Sequence, residues 1–381
     1  MSLAPIWDEL AGQEEAVGQV ALAVKRRDQG VFHSWLVTGP PGSGRSNLAL
    51  AFATALQCKD EGCGTCHSCT LAKAGTHPDI AVLSTDKVQI AVAEIRELVQ
   101  SAAFGSALGK FKILIIEDAD RMHQTASNVL LKTLEEPPAN TIWILCAPSE
   151  VDMLPTIRSR VRRVGLKVPA VDDVARLLIE RDGIDPKLAR QAAAEAQSHV
   201  GMSRRLATSP EARSRRRETL LAAIKISDVT DAVIASERWL DLAKKDALSL
   251  AKEKDEEERT ALLHSIGLTP ADPIPVGFRT EFKALEEAQK RRNSRSLRDA
   301  LDRIFVDLLA LYRDVLTLQL GGGVELVNDD LAKELTDLAS NSTSPQTITK
   351  LDAIEQARAR INRNVKDSTV LDALASTLRR R

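Results

Sequence analysis

Residues 39–46 read GPPGSGRS, with Gly39, Gly42 and Gly44 spaced so that successive backbone N–H groups can converge on one anion. The helical pattern after the loop aims its positive end at the same point. Phosphate is the anion such a loop takes, and the Ser46 hydroxyl is placed to reach its Mg2+. One position departs from the usual G-x-x-x-x-G-K-[ST] pattern: Arg45 stands where lysine is expected.

Two carboxylates supply the other half of such a site. Glu117 and Asp118 close the run KILIIED, at the expected tip of a strand. A hydrolytic site puts Asp first, on the metal, and Glu second, on the attacking water. Here the order is reversed, so Glu117 is too long for the metal role and Asp118 too short for the base. A guanidinium at position 45 is also broad and planar where an ammonium is compact. Both departures point the same way. Hydrolysis is expected to fail, while binding of ATP or ADP with Mg2+ is left open.

Cys58, Cys63, Cys66 and Cys69 follow a C-x4-C-x2-C-x2-C spacing. Four thiolates so close in sequence can close a tetrahedron around Zn2+, and four ligands leave no open position, so the expected role is structural. His67 lies inside the cluster and is not needed for it. Cys146 stands apart in an apolar run and reads as a buried small hydrophobe.

The elements that must position these groups follow from periodicity. Short apolar runs at 34–39, 79–84, 112–118 and 141–148 alternate with helical patterns, which predicts a parallel sheet covered by helices on both faces. After residue 170 the strands are expected to stop, and 171–206 reads as a few short helices. The basic stretch 213–218, RSRRRE, reads as a solvated linker or helix face. Farther on, Leu297, Leu301, Ile304, Leu308, Leu311, Val315 and Leu318 recur every three or four residues, one apolar seam along a long helix. The glycines at 321–323 should stop it. Residues 252–259 read as an exposed helical segment and 270–275 as a loop. The fold class expected is therefore an α/β domain, then a small helical lid, then an all-α domain.

Composition narrows the classes. Lys and Arg number 52 against 53 Asp and Glu, a net charge of −1, so no global basic field announces a nucleic-acid binder. The N-terminal segment lacks the charged-then-apolar pattern of a signal peptide, and no apolar stretch reaches the ~20 residues of a membrane span. The chain reads as cytoplasmic, with no membrane partner.

Several longer motifs go together. LLKTLEEPP (130–138), FKILIIEDADRM (111–122), LPTIRSRV (154–161), the four-cysteine insertion behind the glycine loop and WDELAGQEEAV near the start resemble the bacterial DNA polymerase III clamp loader family of AAA+ proteins. The segments 288–316 and 361–365 look more loosely like that family's collar. Within the family the damaged loop looks like delta-prime rather than gamma/tau. The resemblance implies an AAA+ domain over 1–167, a lid over 168–210 and an oligomerising collar over 211–381. It implies that Arg160, following Ser159, enters a neighbouring subunit's nucleotide site as an arginine finger, with Val161 replacing the family's cysteine and Arg158 directed elsewhere. The family's second sensing arginine falls on Arg204, with Arg205 competing, and its first sensor falls near Pro148 and Ser149. The resemblance thus implies a stationary subunit without ATPase activity of its own, in a five-membered ring with gamma/tau and delta, acting on a sliding clamp and primer–template DNA. An ATP-hydrolysing gamma/tau-like motor is the alternative. A DNA-gripping cysteine module is a third reading, weakened by the acidic lean of residues 58–63.

Overall fold

The apolar runs assemble into five parallel strands: β1 (Ser34–Thr38), β2 (Ile80–Leu83), β3 (Lys112–Ile116), β4 (Thr141–Ala147) and β5 (Arg162–Gly165), in the order β2-β3-β4-β1-β5. The computed structural model describes residues 4–85, 89–266, 268, 269, 272, 274, 275, 278–363 and 365–380. Parts of two expected segments, at 270, 271 and 273 and at 364, lie outside the described residues.

Side chains alternate along each strand, so one sheet buries two cores. Trp35, Val37, Ile113, Ile115, Ile142 and Ile144 face the helices Glu14–Lys25 and Arg45–Gln57, meeting Val20, Leu48 and Phe52. Leu36, Leu114, Ile116, Trp143 and Leu145 face the helices Val92–Ala102 and Gln124–Glu135, meeting Ile95, Leu98, Leu130 and Leu134. A strand covered on both sides needs apolar residues at every position, which is why β3 and β4 read as unbroken runs.

Strand β5 lies outside the apolar runs. Only Val164 of its four residues is buried, so it carries no apolar signal. It pairs with β1 as an edge, where Arg162 lies 5.1 Å over the Trp35 ring and Arg163 binds Glu150 at 2.5 Å. Charge on an edge strand discourages pairing with other chains.

The chain forms two compact units, Met1–Arg204 with Thr260–Asp272, and Arg205–Arg259 with Pro273–Arg381. No helix among the described residues is long and apolar enough to cross a membrane. Among its described residues the second unit holds no strand; it is built on Pro210–Ile224, residues 229–259 of the helix Val229–Ser265, Arg279–Gln319, Ala332–Ser340, Ser344–Asn362 and Asp367–Leu378. Leu301, Ile304, Leu308, Leu311 and Val315 form the expected seam, against Trp239, Leu335, Ile354 and Leu374. Leu297 is only partly buried, and Leu318 is 36% exposed, so the seam ends at Val315. The helix stops where Gly321 turns left-handed at φ 65° and the Gly322 N–H donates to the Thr317 carbonyl at 3.0 Å.

The basic stretch is a helix face only partly in water: Ser214 and Arg217 are exposed, but its middle is not. It lies in helix Pro210–Ile224, where Arg216 is 7% exposed and bridges Asp307 at 3.0 Å and Asn328 at 2.5 Å. Arg215 binds Asp246 at 3.1 Å, and Arg205 and Arg303 bind the same carboxylate at 2.8 and 2.9 Å. Acids far away in sequence consume the positive run, and nothing in the run itself announces them. Burial works against the Asp246 charge, but Arg303 and Arg205 outweigh it and hold its carboxyl below the usual range. Its stabilising effect is therefore present above the ordinary carboxylate pKa and lost as pH falls through the lower folded value.

Asp246→Ala should remove the carboxylate shared by Arg205, Arg215 and Arg303, lowering the opening free energy of the second unit by about 3–5 kcal/mol. Hydrogen exchange at pH 7 across 301–315 measures it. Asp246→Asn should cost less and should approach wild type in acid, where the wild-type carboxyl also protonates.

Candidate nucleotide site and cysteine centre

Because the strands are parallel, the carboxyl ends of β1, β3 and β4 lie along one edge of the sheet, the edge where ligands collect in such folds. The glycine loop leaves β1 there. Gly42 and Gly44 take φ of 81° and 95°, and Gly44 caps the helix that begins at Arg45. Ser46 is exposed on the first turn. The loop is tied to its neighbours at two points: the Gly39 N–H donates to the Pro148 carbonyl at 3.2 Å, and Gln13 donates to the Ser43 carbonyl at 3.4 Å, itself held by its two bonds to the Lys167 backbone at 2.8 and 3.1 Å. Ser149 accepts the Val151 N–H at 3.4 Å. The tip of β4 is thus occupied with its own turn and with the loop.

Arg45 does not reach outward. Its Nη1 donates to the Gly39 carbonyl at 2.6 Å, and its Nη2 lies 3.6 Å from Asp118 Oδ1. The other Asp118 oxygen faces Arg121 at 3.5 Å. The two arms of one guanidinium therefore close the loop on itself and join it to the tip of β3. Asp118 turns at a left-handed φ of 48° to meet them. Glu117 is half-buried beside it, and its N–H donates to the Leu83 carbonyl at 2.9 Å. Asp120, which nothing in the sequence singles out, completes an acidic group. Burial, then the Asp118 charge, holds its carboxyl above the usual range, and its Oδ1 is buried without a hydrogen bond among the described residues. Cys146 is buried behind the site as expected; burial first and the Glu117 charge second push its thiol up to about 12.

A lid residue reaches the loop. The His199 ring lies where any side chain on Gly42 would have to go, and its Nδ1 accepts the Met202 N–H at 3.3 Å. Sequence reasoning misses His199, because a lone histidine before a short helix carries no signal. Arg204 pairs with Asp182 at 3.3 Å, and Arg205 is committed to Asp246. Arg181 first, with Arg204 assisting, keeps the Asp182 carboxyl below its ordinary range.

Arg160 follows the short helix Pro155–Arg158 on the way to β5. Its Nη1 donates to the Thr156 carbonyl at 2.8 Å and to Ser159 Oγ at 3.0 Å, and its Nη2 meets Glu135, from the LEEPP segment, at 2.7 Å. The side chain is 36% exposed. Neither Arg45 nor Asp118 is among these partners.

The four cysteines converge. Their Sγ atoms all lie within 4.8 Å of one another, with Cys58–Cys63 at 3.7 Å and Cys58–Cys66 at 3.8 Å. A Zn–S bond of about 2.3 Å in a tetrahedron sets sulfurs about 3.8 Å apart, so the cage fits the ion. The Cys63 and Cys66 N–H groups donate to Cys58 Sγ and Cys63 Sγ, both at 3.4 Å. The Thr65 and Cys66 N–H groups draw the Cys63 thiol down to about 6, whereas burial drives the Cys69 thiol up. Ser68, next to Cys69, bonds His77 Nε2 at 2.8 Å, and His77 Nδ1 accepts the Asp79 N–H at 3.1 Å, fixing the cluster to the start of β2. On its other side the Ile6 N–H donates to the Gly62 carbonyl at 3.2 Å.

A family model described as DNA polymerase III, delta subunit, matches residues 12–170. The chain is similar to a DNA polymerase III subunit delta' of Pseudomonas aeruginosa, 37% identical over 143 residues, 36% of this chain and 44% of that protein. It spans less than half the length of that relative. A Bacillus subtilis protein of the same name is 25% identical over 378 residues, 98% of both chains. A solved structure of the Thermotoga maritima RuvB Holliday junction branch migration motor is 19% identical with a TM-score of 0.40, over 56% of this chain and 64% of that one.

The left-handed Gly42 and the His199 ring generate a coupled prediction. Gly42→Ala should destabilise the first unit by about 1–3 kcal/mol through backbone strain and overlap. In the His199→Ala background the overlap part should disappear and only the strain part remain. A double-mutant cycle on urea unfolding followed by tryptophan fluorescence measures the coupling.

Proposed function

We propose that this chain, which over residues 12–170 belongs to the DNA polymerase III clamp loader AAA+ family and is most like its delta-prime members, is a clamp loader subunit that hydrolyses no ATP itself and lends Arg160 to a neighbouring ATPase subunit. The observation that carries this reading is the double commitment of Arg45 to Gly39 and Asp118. A phosphate arriving at the loop meets a cation whose two arms are engaged and a carboxylate shared between Arg45 and Arg121. Holding a γ-phosphate and a metal requires both groups to be released. Arg160 is more open: Glu135, its ion-pair partner among the described residues, is half exposed, the Arg160 Nη1 bonds to Thr156 and Ser159 are exposed too, and exchanging these for a phosphate costs less. In an assembled ring Arg160 leaves Glu135 and sets its fork against the γ-phosphate bound by the adjoining subunit. The partners on this reading are gamma/tau and delta subunits in a hetero-pentamer, the sliding clamp and primer–template DNA.

One feature favours the motor alternative. The loop keeps Gly42 and Gly44 in the left-handed geometry that cradles phosphate, with Ser46 open beside them. The two readings part on turnover. The isolated chain should show no ATPase above background. In a loader reconstituted with its partner subunits, Arg160→Ala should lower DNA-stimulated ATP turnover at the adjoining site by about 10³-fold or more, with the ring still assembled by gel filtration. Turnover by the chain alone, abolished by Arg45→Ala, would favour the motor; an unaffected Arg160→Ala loader would remove the finger.

For the cysteine centre the reading is structural zinc held by Cys58, Cys63, Cys66 and Cys69, binding the insertion to the N-terminal segment through Ile6 and to β2 through Ser68 and His77. Elemental analysis should find about one zinc per chain, absent in Cys69→Ser. Chelation should lower the unfolding midpoint of the wild type and leave that of the variant unchanged.

A further inference from the structure

In the helical unit, far along the sequence from the glycine loop, a cavity of about 190 Å³ opens among the ends of helices Ala332–Ser340 and Asp367–Leu378 and the body of Ser344–Asn362. Three cations line it: Lys350, Arg379 and Arg380. Asn341, Thr349 and Thr377 add amide and hydroxyl groups, and no lining residue carries a carboxylate.

Lys350 is the anomaly. It is 7% exposed, yet among the described residues it has neither a carboxylate nor a hydrogen-bond partner. Its Nζ lies 5.3 Å over the face of Tyr312, itself buried with a hydroxyl that makes no hydrogen bond among the described residues. A lysine buried along its stem, with its ammonium at the wall of the cavity and no counter-charge beside it, loses part of its hydration, and a ring face offsets only part of that cost. Burial first and the Arg380 charge second hold the Lys350 pKa below that of an ordinary lysine. Arg380 is fixed by backbone carbonyls, donating through Nη2 to that of Ile224 at 3.0 Å and through its N–H to that of Ile226 at 3.2 Å. Arg379 spends only Nε, on the Ser376 carbonyl at 2.9 Å, which leaves both of its Nη groups for a ligand. Elsewhere in this unit buried arginines come with their acids: Arg205 with Asp246 and Arg216 with Asp307. Here the cations converge and, among the described residues, no carboxylate lines the cavity with them.

We propose that this cavity is a binding site for a small phosphate-class oxyanion, held between Lys350, Arg379 and Arg380. A tetrahedral, multiply charged anion matches three cations, whereas one carboxylate would leave charge uncompensated; the Thr349 and Thr377 hydroxyls and the Asn341 amide donate to the Pro345, Ala373 and Asp337 carbonyls, so the cations carry the recognition. The volume admits phosphate, pyrophosphate or the phosphate end of a larger molecule, and is below that of the pockets that enclose whole drug-sized ligands. The site is independent of the nucleotide loop and of the role proposed for Arg160.

The test is calorimetric titration of the full chain with inorganic phosphate, pyrophosphate and ribose 5-phosphate at constant ionic strength. Three proteins are compared: wild type, Arg45→Ala and Lys350→Met, the last keeping the stem and removing the charge. Saturable binding that survives Arg45→Ala and weakens about tenfold or more in Lys350→Met supports the site. Without added anion Lys350→Met should unfold at or above the wild-type temperature, because it removes an unpaired buried charge; this also verifies that the variant is folded. Ribose 5-phosphate binding as well as phosphate identifies a tethered phosphate as the ligand, and binding of the inorganic forms alone identifies a free one. No saturable binding, or equal affinity in wild type and Lys350→Met, overturns the proposal.

Discussion

The guanidinium of Arg45 governs the character of the first unit. One arm closes on the carbonyl of Gly39 and the other faces Asp118, so a single side chain joins the end of β1 to the end of β3 across the intervening β4. The charges that a phosphate loop normally presents to its ligand are here turned into an internal clasp. Asp118 adopts a left-handed backbone to take part, and Arg121 shares its carboxylate. Around this clasp the rest of the site is also tied down: Pro148 holds Gly39, Gln13 holds Lys167, and His199 lies on Gly42.

The sheet makes such a clasp available. Parallel strands bring all their carboxyl ends to one edge, so residues as far apart in the chain as Arg45 and Asp118 meet without any long loop. The two-faced burial that β3 and β4 require also explains why this half of the fold is so legible. Four strands announce themselves as apolar runs, and the glycine loop and the cysteines do so because each is written in one short stretch of chain. The edge strand β5 stays hidden, since one buried valine among arginines carries no periodic signal.

Other features escape the sequence for a different reason: their meaning is set by residues far away. The run 213–218 has the look of a solvated patch, and only in the folded chain do Asp246, Asp307 and Asn328 close around it. Leu318 continues the spacing of the seam but lies past the last neighbour able to cover it. His199 belongs to the lid by sequence and to the loop by contact. Local pattern gives element type; it does not tell which charges will be neutralised.

Neutralisation is also what separates the two arginines on which function turns. A buried, doubly bonded guanidinium is held by desolvated partners, and removing it from them leaves those partners unpaired. Arg45, with a side chain 14% exposed, lies part of the way there: it donates to Gly39 at 2.6 Å and stands 3.6 Å from Asp118, which is 26% exposed. Arg160 and Glu135 are 36% and 49% exposed, and an ion pair so open to water contributes about 0–1 kcal/mol. On the proposed reading, the first arginine costs more to redirect toward a ligand than the second, which gives up an open ion pair and two exposed hydrogen bonds. That difference in burial is what the proposal of a chain inert in its own site and acting across an interface rests on. The arginine at position 45, where lysine is usual, contributes to it directly, because the two arms of its fork meet the loop and the β3 tip separately.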